Sequence, residues 1–596
     1  MKVKNLVILG VLLAVLVMTS YSAYQGYLNQ ELWGHLPLYI FASAWVLLGG
    51  LTYYVPLLRN LKSHKRWMAL SSISGALFAL GFPPFYTTFT ILFAFIPLFY
   101  IEDEIAQDET IVSKKWLITG YGYFIFVMWN LLSTYWVANT AFVAGVFAII
   151  ANSALMLIPL VLFVWFKDFV GKRTAYFSFA AFWICFEYLH MNWEVTWPWL
   201  TLGNSLSQFA WLPQWYEYTG VLGGSLWILL LNIFGYDIIQ KKRFGGLSNR
   251  RVVFYALLLL GPTIYSISRY LKYQEQGEKV EVVIVQPNYE PHYQKFTIPG
   301  FEQAEHFASL SRTKLTDKTT YLLFPETAFD NINVDRFDQS IEAERIKTLL
   351  LEFPNLIWVT GLSAHKIFPK YVPNRPNLRT LVRSNETIYW EAYNAAVQTN
   401  NDLTNIDWYY KSKLVPGPEI FPYKDQLRFM KSLVEKLDGT VEGLATQPER
   451  SVFKHLNYAV APIICYESIF GEYCTDYVKN GATALFIMTN DGWWDHTPGH
   501  IQHLKFGTLR AIETRRSIAR SANSGISCFI NQRGDILQAT RYDEAVAING
   551  EISMNSLTTT FYTEWGDIIG RLALMISSLQ MLYLVFGILK RRFKIL

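Results

Sequence analysis

Runs of about 20 mostly apolar residues crowd the first 270 positions and recur once near the end, leaving one long polar stretch between them. A helix of that length crosses the hydrocarbon core of a bilayer, so the pattern predicts a multi-pass membrane protein carrying a water-soluble insert. Candidate spans lie near residues 5–26, 35–57, 67–84, 87–100, 117–138, 142–166, 174–190, 219–240, 252–270 and 568–589. The pair flanking Gly81-Phe82-Pro83-Pro84-Phe85 reads as a tight hairpin. Composition agrees: 52% of residues are hydrophobic and 17% charged, where a soluble protein has about a quarter charged.

The formal charge of +5 does not point to a nucleic acid, because of where it falls. With the N-terminus inside, Arg59-Lys62-Lys65-Arg66, Lys114-Lys115, Lys167-Lys172-Arg173, Lys241-Lys242-Arg243 with Arg250-Arg251, and Lys590-Arg591-Arg592-Lys594 all land on the cytoplasmic side. That is the positive-inside pattern, and it predicts that residues 275–560 lie outside. The first apolar run has no cleavage pattern after it and reads as a retained start-transfer helix. Four cysteines (Cys185, Cys465, Cys474, Cys528) are too few for a disulfide scaffold, although one pair can bridge in an oxidising compartment. The outer loop 188–217 is rich in Trp and Tyr and carries Glu194 and Glu217. It reads either as an interfacial aromatic belt or as a lined entry for a lipid head group, since carboxylates near lipid need a partner or a task.

From Lys279 the periodicity changes. Strands are predicted at 282–288, 320–326, 356–361, 459–465, 484–490 and 525–530, with a basic helix from Arg510 to Arg520. Short apolar strands alternating with other segments give a layered α/β domain. The insert holds no glycine fingerprint for a nucleotide, no phosphate-binding loop and no metal-spaced Cys/His cluster, so neither metal nor cofactor is expected. Glu326 and Cys465 end strands, and Lys411 lies in Trp408-Tyr-Tyr-Lys411-Ser-Lys413. A carboxylate can take a thiol proton, and an ammonium stabilises both a thiolate and an oxyanion. Together the three residue types suit covalent acyl transfer without histidine, while a lone Cys at a strand end also reads as a buried small side chain.

These residues carry a resemblance. With Ala79 to Phe85, Tyr135-Trp136-Val137, Phe186-Glu187-Tyr188, Trp197-Pro198-Trp199, Gln286-Pro287-Asn288, Phe324-Pro325-Glu326-Thr327, Tyr409-Tyr-Lys411, Cys465-Tyr466-Glu467 and Asn490-Asp491, the chain resembles the bacterial apolipoprotein N-acyltransferases. The outer domain of that family belongs to the carbon–nitrogen hydrolase (nitrilase-like) superfamily. The resemblance implies a helical membrane domain plus an extracytoplasmic αββα sandwich, and a transferase of the bacterial inner membrane with its catalytic domain on the periplasmic side. It implies Glu326 as general base, Lys411 as transition-state lysine and Cys465 as nucleophile, supported by Glu419, Tyr466 and Glu467. Trp493, Trp494, Phe296 and Asn490 would line the substrate. The donor would be a phospholipid, typically phosphatidylethanolamine, and the acceptor the α-amine of a diacylglyceryl cysteine on an apolipoprotein. A monomer in the lipid bilayer is expected, with no nucleic-acid partner.

On this reading residues 1–60 add two transmembrane helices, 61–272 form the membrane domain, 275–560 the nitrilase-like domain, and 561–596 a final helix with a basic tail. The chain departs from the family pattern at Pro416-Gly417-Pro418-Glu419, where an added Pro418 stiffens the loop. It departs again at Asp491-Gly492-Trp493-Trp494, and at Phe296, which stands where the family has Trp. Two other classes remain open at this stage: an amidase using the same three residues with water as acceptor, and a transporter or sensor with an outer binding domain.

Overall fold

The computed structural model describes residues 3–52, 55, 58, 61–383, 386–427, 429 and 441–593; Arg59 and Lys594 of the basic clusters fall outside them. Six helices among the described residues are long and apolar enough to cross a membrane: Val7–Asn29, Lys114–Thr134, Phe142–Val170, Tyr216–Arg243, Asn249–Lys272 and Ile568–Lys590. The other four expected spans are shorter or more polar. Leu36–Leu51 and His64–Leu80 are helices of 16 and 17 residues. The 87–100 segment divides into a 3-10 turn, Thr88–Phe93, and a helix, Ile96–Gln107, that carries Glu102, Asp103 and Glu104. Lys172–Met191 is helical with Glu187 buried inside it. Neighbouring helices cover these segments: Phe78 stacks on Trp129, and Phe95 meets Phe179 and Trp183 edge-on. A segment shielded by protein needs less hydrophobicity than one facing lipid.

The basic clusters do gather at one end of the bundle, and acidic partners meet them there. Arg66 pairs with Glu104 at 2.5 Å, Lys115 with Asp168 at 2.5 Å and Lys167 with Glu102 at 2.8 Å, while Lys172 pairs with Asp103. All four cysteines are free and buried, so the described chain has no disulfide.

The insert is two face-to-face sheets. The first has the order β14-β1-β2-β4-β6-β5, with β3 beside β4 and β7 beside β6. Its strands are β1 (Glu278–Gln286), β2 (Thr319–Leu323), β3 (Phe329–Asn333), β4 (Ile357–Phe368), β5 (Arg379–Arg383), β6 (Glu386–Thr399), β7 (Asp407–Tyr410) and β14 (Val546–Met554). The second has the order β13-β12-β11-β10-β9-β8, formed by β8 (Phe453–His455), β9 (Tyr458–Ile464), β10 (Ala484–Thr489), β11 (Ile518–Ala522), β12 (Cys528–Ile530) and β13 (Ile536–Leu537).

Period-two alternation makes the layers. On β1, Val282 and Ile284 enter the core shared with the second sheet, while Val283 and Val285 join Phe307, Ile346 and Leu349 of helices Gly300–Arg312 and Ile341–Glu352. Helices Gly471–Lys479 and Pro498–Thr514 lie with the second sheet, which completes the αββα order. The expected helix from Arg510 to Arg520 ends at Thr514. Arg515 takes a left-handed φ of 51°, and Ile518–Ala522 continues as β11. Charge made that stretch look helical, but the apolar Ile518, Ala519 and Ala522 are fully buried in the sheet.

Candidate active site

Strand ends from both sheets meet at one polar point. Glu326 follows β2, Lys411 follows β7 and Cys465 follows β9. Lys411 is 1% exposed, and its Nζ donates to Glu326 Oε1 at 3.1 Å and to Glu419 Oε1 at 2.8 Å. Asn394, on β6, binds the same two carboxylates: its amide donates to Glu326 Oε1 at 2.8 Å and Glu419 Oε1 at 3.0 Å. Its carbonyl also accepts from the Lys411 backbone N–H at 2.9 Å, fixing strand to strand. Burial pulls the Lys411 ammonium pKa down, but Glu326 and Glu419 outweigh it and hold the group well above its ordinary value. Glu419 Oε2 accepts from Val415 N at 2.8 Å, so the loop with the inserted Pro418 still delivers its carboxylate.

Cys465 is buried and lies within electrostatic reach of Glu326, Lys411 and Asp491. Burial raises its thiol above the ordinary value, and Glu326 and Asp491 add to this against the opposing pull of Lys411. At rest it is therefore a thiol, and it needs a base at the moment of attack. Its φ is 48°, a left-handed conformation that is uncommon outside glycine.

Glu467 braces that turn from one side. Its carboxylate accepts from Ile464 N at 2.9 Å, Ser412 N at 2.8 Å, Tyr409 Oη at 2.6 Å and Tyr473 Oη at 2.5 Å. One buried carboxylate thus ties the residue before Cys465 to the residue after Lys411. Tyr466 points the other way, donating to the Thr196 carbonyl at 2.9 Å and anchoring the turn to the loop 188–217 of the membrane half.

A second cluster supports the turn from behind, and sequence reasoning missed it. His503 faces Asp491 Oδ1 at 2.9 Å with Nδ1 and the Cys465 carbonyl at 3.1 Å with Nε2. Arg520 donates to Asp491 Oδ2 at 2.7 Å, and Ser468 Oγ donates to the Cys465 carbonyl at 2.7 Å. Burial alone raises the Asp491 carboxyl, but Arg520 and His503 hold it well below the usual carboxylate range. Lys295, also missed, donates to Thr327 Oγ1 at 2.7 Å beside Glu326, and burial pushes its pKa down to about 8. Nothing in the sequence pattern around Lys295 or His503 marked either residue.

The expected lining residues separate into two groups. Trp493 stacks on Phe296 at 6.3 Å and meets His292 edge-on at 5.2 Å, and Phe296 is half exposed. Trp494 points into the junction instead, against Trp136 at 4.8 Å, Trp199 at 5.3 Å and His503 at 5.4 Å. Asn490 is buried, accepts from Asn523 Nδ2 at 3.0 Å and has an amide nitrogen without a partner.

Known proteins match both halves of this arrangement. Residues 74–234 match the apolipoprotein N-acyltransferase N-terminal domain, and residues 371–562 match the carbon-nitrogen hydrolase family. The apolipoprotein N-acyltransferase of Chlorobaculum tepidum is 27% identical over 534 residues, covering 88% of this chain and 97% of that protein. The enzyme of the same name from Thermotoga maritima is 26% identical over 532 residues, covering 85% and 92%. Among solved structures, Saccharomyces cerevisiae Nit3 of the nitrilase superfamily covers 46% of this chain and 90% of its own, at 16% identity and a TM-score of 0.33. Both domains occur in one chain, and relatives of that name align with it over most of its length: the protein belongs to the apolipoprotein N-acyltransferase family and is a multi-pass membrane acyltransferase.

Proposed function

We propose that the protein moves a fatty acyl chain from a phospholipid, such as phosphatidylethanolamine, through a Cys465 thioester to the α-amine of the N-terminal diacylglyceryl cysteine of an apolipoprotein. The observation that carries this reading is the buried Glu326–Lys411–Glu419 array set against the Cys465 turn.

In the first half-reaction Glu326 takes the Cys465 proton as sulfur attacks the ester carbonyl carbon. The Lys411 ammonium stabilises the oxyanion. Collapse breaks the acyl C–O bond, and Glu326 returns the proton to the departing lysophospholipid oxygen. In the second half-reaction the α-amine attacks the thioester carbonyl. Its proton passes to Glu326, the C–S bond breaks, and the thiolate is reprotonated. An amide forms and the enzyme is restored. Both substrates are lipid-anchored, and the junction aromatics Trp199 and Trp494 fit a site kept at head-group level and shielded from water. The α/β domain faces the periplasm on this reading, with the basic helix ends in the cytoplasm, and the enzyme acts as a monomer.

Intact-mass analysis of the purified protein after incubation with phosphatidylethanolamine tests it. A hydroxylamine-labile acyl adduct is expected on the wild type and not on Cys465→Ala. No adduct on active wild-type protein overturns the thioester, and release of free fatty acid in the presence of acceptor marks hydrolysis instead.

A further inference from the structure

Glu217, one of the two carboxylates singled out in the outer loop, does not belong to the acyl-transfer site. It lines a separate cavity of about 500 Å³ where the helix Asn249–Lys272 passes into the α/β domain. Arg269, Lys272, Arg515, Tyr218 and Thr559 line the same space. None of Glu326, Lys411 or Cys465 does.

The charges there do not balance. Glu217 accepts from Arg269 Nε at 2.7 Å and Nη2 at 3.0 Å, and from Arg515 Nε at 2.7 Å. One carboxylate is thus spent on two guanidiniums. Lys272 adds a third cation and has no carboxylate within ion-pair distance among the described residues. Three cations line the cavity against one carboxylate, and even with Glu275 nearby, which accepts from Gln532 N at 3.1 Å, a net positive charge remains that favours a ligand of negative charge.

The surroundings favour one with an apolar part. Val253, Leu257, Leu260 and Ile264 of the helix Asn249–Lys272 are exposed on the protein surface, as lipid-facing residues are. At its end Leu271 is 70% exposed, and the other lining segment, 558–561, ends in exposed Phe561 and is flanked by exposed Leu557 and Trp565. Tyr218 and Tyr265, joined by a hydroxyl contact of 3.2 Å, sit at the same level. Tyr and Trp prefer the head-group zone. Three chain segments leave the membrane here: the start of Tyr216–Arg243, the end of Asn249–Lys272 and the approach to Ile568–Phe593.

We propose that this cavity is a second lipid site, which holds the phosphate of a phospholipid between Arg269 and Lys272 while the acyl chains lie along the exposed apolar rim. The proposal is independent of the reading of Cys465.

Native mass spectrometry of the full chain in non-ionic detergent tests it, with an ether-linked phosphatidylglycerol that has no ester carbonyl to transfer. Lys272 is exposed and has no ion-pair partner among the described residues, so Lys272→Gln and Lys272→Glu keep the fold, checked by an unchanged unfolding midpoint. Each surface cation contributes roughly fivefold to binding an anionic lipid, so one of the bound copies should weaken about fivefold in Lys272→Gln and about 25-fold in Lys272→Glu. Inorganic phosphate added at millimolar concentration should not displace that copy. Full displacement by phosphate keeps the anion site but overturns the lipid as its occupant. Unchanged copy number and affinity in both variants overturn the site.

Discussion

At the Lys411 side chain one charge holds together three elements. Replacing it by Met leaves Glu326 and Glu419 buried on the same Asn394 amide with no cation between them. Breaking a buried pair from one side costs about 3–5 kcal/mol, so Lys411→Met should lower the unfolding midpoint in detergent and abolish the acyl adduct. Asp491 gives a pH dependence. Its carboxyl is held below its ordinary value in the folded protein, so it stabilises the fold above the unfolded carboxylate value, about pH 4. That stability is lost as pH falls further toward the folded value. The wild type should therefore lose thermal stability below about pH 4 more steeply than Asp491→Asn, as followed by tryptophan fluorescence. Glu326 and Cys465 stood out in the sequence as residues ending short apolar strands and Lys411 as a lysine in an aromatic run, but spacing alone was a weak signal and their roles came with the family resemblance. Asn394 did not stand out: β6 mixes Tyr, Glu and Asn with Ala and Val, and its role exists only once β6 and β7 are paired.

At the scale of elements, the two N-terminal helices acquire a contact that their sequence did not disclose. The turn between them reaches the loop that carries Trp493 and Trp494. Gly34 N donates to Asp495 Oδ2 at 2.9 Å, and Asn139 Nδ2 donates to the carbonyls of Gly34 at 3.0 Å and Trp494 at 3.3 Å. Thr140 Oγ1 donates to the Trp493 carbonyl at 3.2 Å. A single Asn thus clasps the N-terminal hairpin and the Trp loop together. Asn139→Ala should speed amide hydrogen exchange across residues 492–497 while leaving the β10 amides unchanged; equal protection in both would show that the clasp carries no local stability. The strands of the first sheet's far edge, β5 and the start of β6, were invisible to periodicity because they alternate polar residues on both faces. The membrane segments were easier, since length and apolarity are read directly. What blurred them was burial of helices against one another, which lets Glu187 sit inside an expected span.

The whole molecule is one packed body, and that is why removing either half should damage the other. A single apolar core runs from Trp129 and Trp183 of the membrane bundle through Phe506 to Phe486 of the second sheet. The helix Pro498–Thr514 is the joint. Gln502 on it donates to the carbonyls of Pro83 and Ser133, each at 3.0 Å, and so plugs an α/β-domain side chain into the bundle. Beside it, Gly499 lies against Trp136 so closely that an added Cβ would meet the indole at 2.7 Å. Gly507, farther along the same helix, has only Ile487 Cδ1 at 3.7 Å from the same position. The two glycines therefore make a matched pair. Alanine at either gains about 0.5–1 kcal/mol from reduced backbone freedom, but at 499 the overpacked indole costs about 1–3 kcal/mol. Gly507→Ala should raise the unfolding midpoint of the purified protein, and Gly499→Ala should lower it. If both shift upward together, the membrane bundle yields at Trp136 and the halves are coupled more loosely than the shared core implies; opposite shifts place the stability of the α/β domain on its contact with the bundle.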